Sequence, residues 1–392
     1  MGNWAIRQIG RWQLFLLPIC LSAYLPLLVS CRHRAPFQPY TAYVVNYQSA
    51  TLAAVNLQDF HLTAALSLPP RPERVLLRPG ARQLYAVSAT GKISVVAFPH
   101  PRLVTNLEVG RSAQDLVFSP DGSAAYVLDP ADHELVFIDC RGASGNPPEA
   151  AIPKVAFRLR LPGTLSDLAV SPDGKTLVVS SSSPDQITIL SAATRQPLGT
   201  VEVGQSPGPL TILPDNSKVF VADTGEEKIS ATDVASRHLL SHIEIGTRPT
   251  ALLLKPDGGE LFILAAPSST MVIVDAFHDN VEQTFPLGRN PVAGVFRQDM
   301  SVLYVANAGD GSVLALDVQN RQVLASTHVG MEPRAVALTP DERLLVVADR
   351  AASSLAILRA DPTSLSNDRS VLVTTVPVGA SPVDVVVPDY LN

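Results

Sequence analysis

The sequence predicts an all-β chain: a single β-propeller of eight four-stranded blades, its ring closed by pairing the C-terminal strand with the N-terminal blade. Three observations predict it. First, a Pro-Asp-Gly-like turn recurs, beginning at Pro79, Pro120, Pro172, Pro214, Pro256, Gln298, Pro340 and Pro388. The intervals are 41, 52, 42, 42, 42, 42 and 48 residues. Second, short runs of Val, Leu and Ile bounded by Pro, Asp, Gly and Ser surround each turn, four per repeat. No segment after residue 40 sustains a helical period. Third, the ends of the chain are out of phase. Residues 42–45 form a second strand and residues 383–387 a first strand. Units of about 40–45 residues with four strands each make a propeller, and an open solenoid has no reason for such a phase. Eight first strands and eight second strands give eight blades; seven, the commoner number, is the alternative.

Composition bounds the rest. The 392 residues are 46% hydrophobic and 17% charged, enough for a large core. Lys+Arg 30 against Asp+Glu 36 gives a net charge of -6, with no long basic run, which argues against a nucleic-acid partner. The 33 prolines against 23 glycines indicate many turns rather than a flexible linker. Three cysteines, Cys20, Cys31 and Cys140, exclude a disulfide framework.

Residues 1–30 read as an export signal. Arg7 and Arg11 precede a nearly uninterrupted apolar run from Leu14 to Val29, too short to span a bilayer as a helix. The run ends in Leu28-Val29-Ser30-Cys31. That ending resembles the bacterial lipobox, and the resemblance implies a lipid on Cys31, which becomes the new N-terminus. Arg32 rather than an aspartate follows, which by the same resemblance favours the outer membrane, facing the periplasm of a Gram-negative cell. Removal of residues 1–30 takes two arginines and no acid, leaving a net charge of -8. Residues 31–40, with Pro36 and Pro39, form a tether, and residues 41–392 the propeller.

Within the propeller, the third to seventh turns keep the 42-residue period. Insertions at residues 141–151 and 361–368 account for the two long intervals. Six residues past each turn stand Tyr85, Tyr126, Val178, Phe220, Phe262, Tyr304 and Val346, with Tyr43 in the same column. The first two strands of each repeat are expected to be covered on both faces. Asp139, Asp233, Asp275 and Asp317, with Asn56, end third strands and suit turn chemistry. Tyr304-Val305-Ala306-Asn307 and Tyr43-Val44-Val45-Asn46, with the Val-Gly-x-x-Pro link, resemble the YVTN-type β-propeller repeat. The link recurs as Gly204 to Pro207, Gly246 to Pro249, Gly288 to Pro291, Gly330 to Pro333 and Gly379 to Pro382. The resemblance covers residues 41–392 and is specific for fold. Related propellers include lactonases and redox enzymes.

Catalytic motifs are absent. There is no phosphate loop, no G-x-S-x-G, no C-x-x-C-H and no zinc spacing. The eight histidines are scattered over the tether, outer strands and turns, so no metal and no cofactor is expected. One column breaks the repeat. Two residues past the link proline, or its equivalent, blades one to four carry Asp384, Arg74, Asp115 and Asp167. Blades five to eight carry Pro209, Ala251, Ala293 and Ala335. First strands surround the channel, so these four charges mark a ligand site at one side of its mouth, or else an internally paired cluster. Arg71, Arg111, Arg248, Arg289 and Arg334 lie in the link loops, diluted by Glu73 and Glu332 and by the acidic loop of Asp223, Glu226 and Glu227. The reading is a monomeric, membrane-tethered binding propeller for a partner protein or cell-envelope component. The rival is a propeller enzyme of lactonase or quinoprotein-dehydrogenase-like type, and no catalytic residue is assigned.

Overall fold

In the computed structural model the described residues are 40–142, 151–360 and 371–389. The predicted signal 1–30, Cys31, the tether up to residue 39 and most of both insertions fall outside them. The chain divides into units Met1–Phe37 and Gln38–Asn392, and all the described residues belong to the second.

These residues form eight four-stranded antiparallel sheets and no helix. The innermost strands, blade by blade, are Pro382–Val386, Pro72–Leu77, Leu116–Phe118, Thr164–Val170, Pro207–Ile212, Ala251–Leu254, Pro291–Phe296 and Pro333–Leu338. Five of the eight start on proline. A residue without an N–H is tolerated at the start of an edge strand, which places five of the prolines. The ring closes as the termini predicted. Tyr43 pairs with Val386, Val44 with Val385 and Val45 with Asp384.

The core lies between blades. Eight apolar clusters occupy eight seams, each drawing on two adjacent blades. The closing seam joins Val44 and Val385 of blade one to Val346 and Ile357 of blade eight. Neither blade buries these faces alone, so stacking around the ring supplies the hydrophobic driving force.

Burial along the strands corrects one expectation. Strands two and three are covered on both faces, as in Gln83–Ser88, which is buried throughout. First strands are only half-buried, as in Ala251–Leu254. They border the channel and have no sheet on the axial side. Fourth strands alternate, as in Lys154–Arg160. In every blade a β-bulge interrupts the pairing of strands three and four. Such bulges twist the outer edge and blunt it against edge-to-edge association.

The turns follow their sequence chemistry. Asp121 accepts hydrogen bonds from the Ser123 backbone and the Ser119 hydroxyl, and Asp341 from the Arg343 backbone and the Thr339 hydroxyl. The following residue is left-handed: Gly122 at φ +64°, but also Met300 at +58° and Glu342 at +54°. At the third-strand ends, Asp275 accepts from the backbone of Phe277 and His278, and Asp317 from that of Asn320.

Candidate ligand site at the channel mouth

The link from one blade enters the next at the start of its inner strand, and in six of the eight blades a bulge interrupts the pairing of that strand with the second. Pro72 faces Ser88 and Arg74 faces Val87, leaving Glu73 as the extra residue; Ser166 and Val383 are the extra residues in blades four and one. Bulges re-aim side chains, and the residue after each one reaches across to the neighbouring inner strand.

The four predicted residues are brought into one arc. The Asp384 carboxylate accepts the backbone N–H of its successor Val385 at 2.9 Å and that of Val75 in blade two at 2.9 Å. Asp167 does the same three blades on, accepting the N–H of Leu210 in blade five at 2.8 Å. These aspartates therefore clip one blade to the next. Asp115 accepts the Leu116 N–H at 2.9 Å and pairs with Arg74. Its side chain is buried, whereas that of Arg74 is 47% exposed.

Asp115 and Asp167 lie carboxyl to carboxyl, and a hydrogen bond between them requires a proton. Burial, then the Asp115 charge, pushes Asp167 up to about 7. Burial pushes Asp384 up to about 6, against the hydrogen bond from Val75 and the attraction of Arg74. The pair can thus offer an O–H donor and carboxylate acceptors together near neutral pH. In the other half of the ring, Pro209, Ala251, Ala293 and Ala335 bring no charge.

The link arginines do not gather into an anion patch. Arg111 pairs with Asp132 at 2.6 Å, Arg334 and Arg350 share Glu332, and Arg71 meets Glu73 at 3.9 Å. Among the described residues no three His, Cys, Asp or Glu side chains gather closely enough to hold a metal ion. Cys140 is buried, its thiol pushed up by burial, with the Tyr85 hydroxyl 3.5 Å from Sγ. No described helix is long and apolar enough to cross a membrane.

Asp223, read from sequence as part of an acidic loop, is instead fully buried at the end of a second strand. It belongs to a column that sequence reasoning passed over: Asn46, Asp129, Asp223, Asn307 and Asp349, all buried. Asp129 accepts the link N–H groups of Arg111 and Ser112, and Asp349 those of Met331 and Glu332. In blade five the link turns elsewhere, with Gln205 N–H on Glu226 and Ser206 N–H on Asp185. Asp223 keeps the Ser230 hydroxyl at 2.8 Å, and its Oδ1 has no partner. The recurrence of Asn or Asp three residues after the aromatic column was the available signal.

A family model described as "Lactonase, 7-bladed beta-propeller" matches residues 269–385, less than a third of the chain. No curated protein matches. Among solved structures, the chain resembles dihydro-heme d1 dehydrogenase NirN in complex with DHE, at 14% identity and TM-score 0.74, over 92% of this chain and 78% of that one. It resembles apo AztD from Citrobacter koseri at 13% identity and TM-score 0.68, over 90% and 98%. Hydrazine synthase of Kuenenia stuttgartiensis aligns at 21% identity and TM-score 0.53, over 69% and 87%. At these identities the likeness establishes the β-propeller fold and not the activity.

Proposed function

We propose that this is an envelope propeller, built from YVTN-type repeats and tethered through lipid on Cys31, that binds a small polar envelope component at the channel mouth. The ligand class is one bearing hydroxyl or amine groups. The observation that carries this reading is the Asp115–Asp167 carboxyl pair, which presents a donor and acceptors together beside Arg74 on one side of the ring. Titration calorimetry of the purified protein against polyols, amino sugars and sugar lactones tests it. Asp115→Ala/Asp167→Ala is expected to abolish the binding found for the wild type; unchanged binding overturns the site. The tether has its own test. Cys31→Ser is expected to move the protein from the membrane to the soluble fraction and to end its labelling by fatty acid.

The second reading is hydrolysis of a lactone. It is favoured by the family-model match and by a carboxyl near pH 7, suited to general acid–base work. Turnover of sugar lactones that is lost in Asp167→Asn would support it; binding without turnover supports the first reading.

A further inference from the structure

The turns of blades three and four, on the face opposite the links, frame a cleft well removed from the channel mouth. Two overlapping cavities of about 360 and 340 Å³ share Ser123, Ala124, Tyr126, Ala192 and Ala193 as walls. Together they fall in the size range of small-molecule pockets.

Tyr126 marks the cleft as unlike its counterparts. Tyr43, Tyr85 and Tyr304 stand in the same column, and each directs its hydroxyl to the turn region of the next blade: Pro99 O at 2.8 Å, Cys140 Sγ at 3.5 Å and Ala360 O at 2.8 Å. Tyr126 is equally buried, at 4% exposure, and lines both cavities, yet its hydroxyl has no partner among the described residues. The hydroxyl is not among the buried unpaired atoms and opens into the cleft instead.

Arg195 supplies the charge. Its guanidinium stacks over Phe137 at 5.9 Å and Phe157 at 5.5 Å, and it meets no carboxylate among the described residues. The acids that line the cleft are already engaged. Asp121 is held by Ser119 and Ser123, Asp139 by Arg141 and Asp173 by Ser171 and Lys175. Tyr126 and Phe137 line the cleft edge to face, with centroids 5.4 Å apart, and Phe157 backs Phe137 at 5.6 Å.

From this juxtaposition we infer that the cleft between blades three and four binds a small carboxylate with an apolar body, held by the Arg195 guanidinium and the Tyr126 hydroxyl. A guanidinium already oriented by two rings matches the planar fork of a carboxylate. The phenol adds one donor, and the aromatic wall receives the body of the ligand.

The test is calorimetric titration of the full chain in detergent, against a micelle blank, with benzoate, benzamide and inorganic phosphate as probes. Benzoate should bind at one site per chain, and benzamide at least about tenfold more weakly. Arg195→Gln should weaken benzoate roughly tenfold to a hundredfold, and Arg195→Lys, which keeps charge but loses the fork, by an intermediate factor. Tyr126→Phe should weaken it about fivefold without moving the thermal midpoint. Asp115→Ala/Asp167→Ala should leave benzoate binding unchanged, which separates this cleft from the channel-mouth proposal. Equal affinity for benzamide, preference for phosphate, no benzoate binding up to about 10 mM, or indifference to Arg195→Gln would each overturn the inference.

Discussion

Asp223→Asn should stabilise the protein at pH 8 and hardly change it near pH 4, whereas Asp349→Asn, in the same column of the repeat, should destabilise it at both. Asp223 is fully buried, with one oxygen unpartnered and the other accepting from Ser230. Burial pushes its carboxyl up to about 7 from an ordinary 3.8. The folded chain therefore holds a proton that the unfolded chain releases. Its stabilising contribution is complete below about pH 4 and is lost as the pH rises to 7. At 1.36 kcal/mol per tenfold step, that gap is worth roughly 4 kcal/mol, of which about 2–3 falls between pH 5 and pH 8. An amide has no such proton to lose, so the variant should gain on wild type by about that amount across this interval. Asp349 differs because its two oxygens accept from Met331 N–H at 2.6 Å, Glu332 N–H at 2.9 Å and Ala352 N–H at 3.2 Å. An amide there turns a donor toward a donor, at a cost of about 1–3 kcal/mol. Both tryptophans lie in the first 12 residues, so urea unfolding is best followed by far-UV circular dichroism, at pH 5 and pH 8. Loss of stability in Asp223→Asn equal to that in Asp349→Asn at both pH values would refute the reasoning.

Other substitutions read the same architecture. Tyr304→Phe removes a buried hydrogen bond to Ala360 O and should cost about 1 kcal/mol by denaturant titration, whereas Tyr126→Phe should cost next to nothing. Gly330→Ala would place a methyl 1.4 Å from Asp349 Oδ2 and should destabilise by roughly 1–3 kcal/mol, visible as a lower thermal midpoint. Met300→Gly relieves a left-handed residue at φ +58° in an exposed turn and should raise that midpoint, by about 1 kcal/mol of stability.

Much of the fold was legible because a propeller states its rule eight times. The turn spacing, the strand runs and the phase of the termini depend only on local patterns, and the pairing of Val44 with Val385 follows from them. What escaped was the detail of how neighbouring repeats grip each other. Sequence could place Asp115 and Asp167 in one column. It could not show that Asp384 and Asp167 accept N–H groups of the next blade, because bulge geometry sets that reach. Nor could it separate Asp223 from the exposed acids beside it. Glu226, three residues on, pairs with Lys228 at the surface, and only the position of the strand end distinguishes the two.

The two motif ends that looked independent in sequence prove to be one device. The link glycine and the Asn or Asp that ends the second strand touch: Gly110 on Asp129, Gly204 on Asp223, Gly288 on Asn307, Gly330 on Asp349 and Gly379 on Asn46. A Cβ on any of these glycines would lie within about 2.7 Å of the carboxylate or amide, so the glycine is required by close approach, at whatever φ it adopts. In blades three and eight the acid, Asp129 or Asp349, in turn accepts link N–H groups that no strand pairs. Blade six shows the converse. Its second strand ends in Ala265, and its link glycine, Gly246, has nothing within 4 Å; Thr247 and Ser268 join link and turn at 2.8 Å instead. Because the lock sits on the link face, it holds the inner-strand entries where the channel-mouth residues arise. On the opposite face the tyrosine column ties blade to blade instead, Tyr43 on Pro99 O and Tyr304 on Ala360 O, and the seam of blades three and four lacks that bond because Tyr126 lines the cleft.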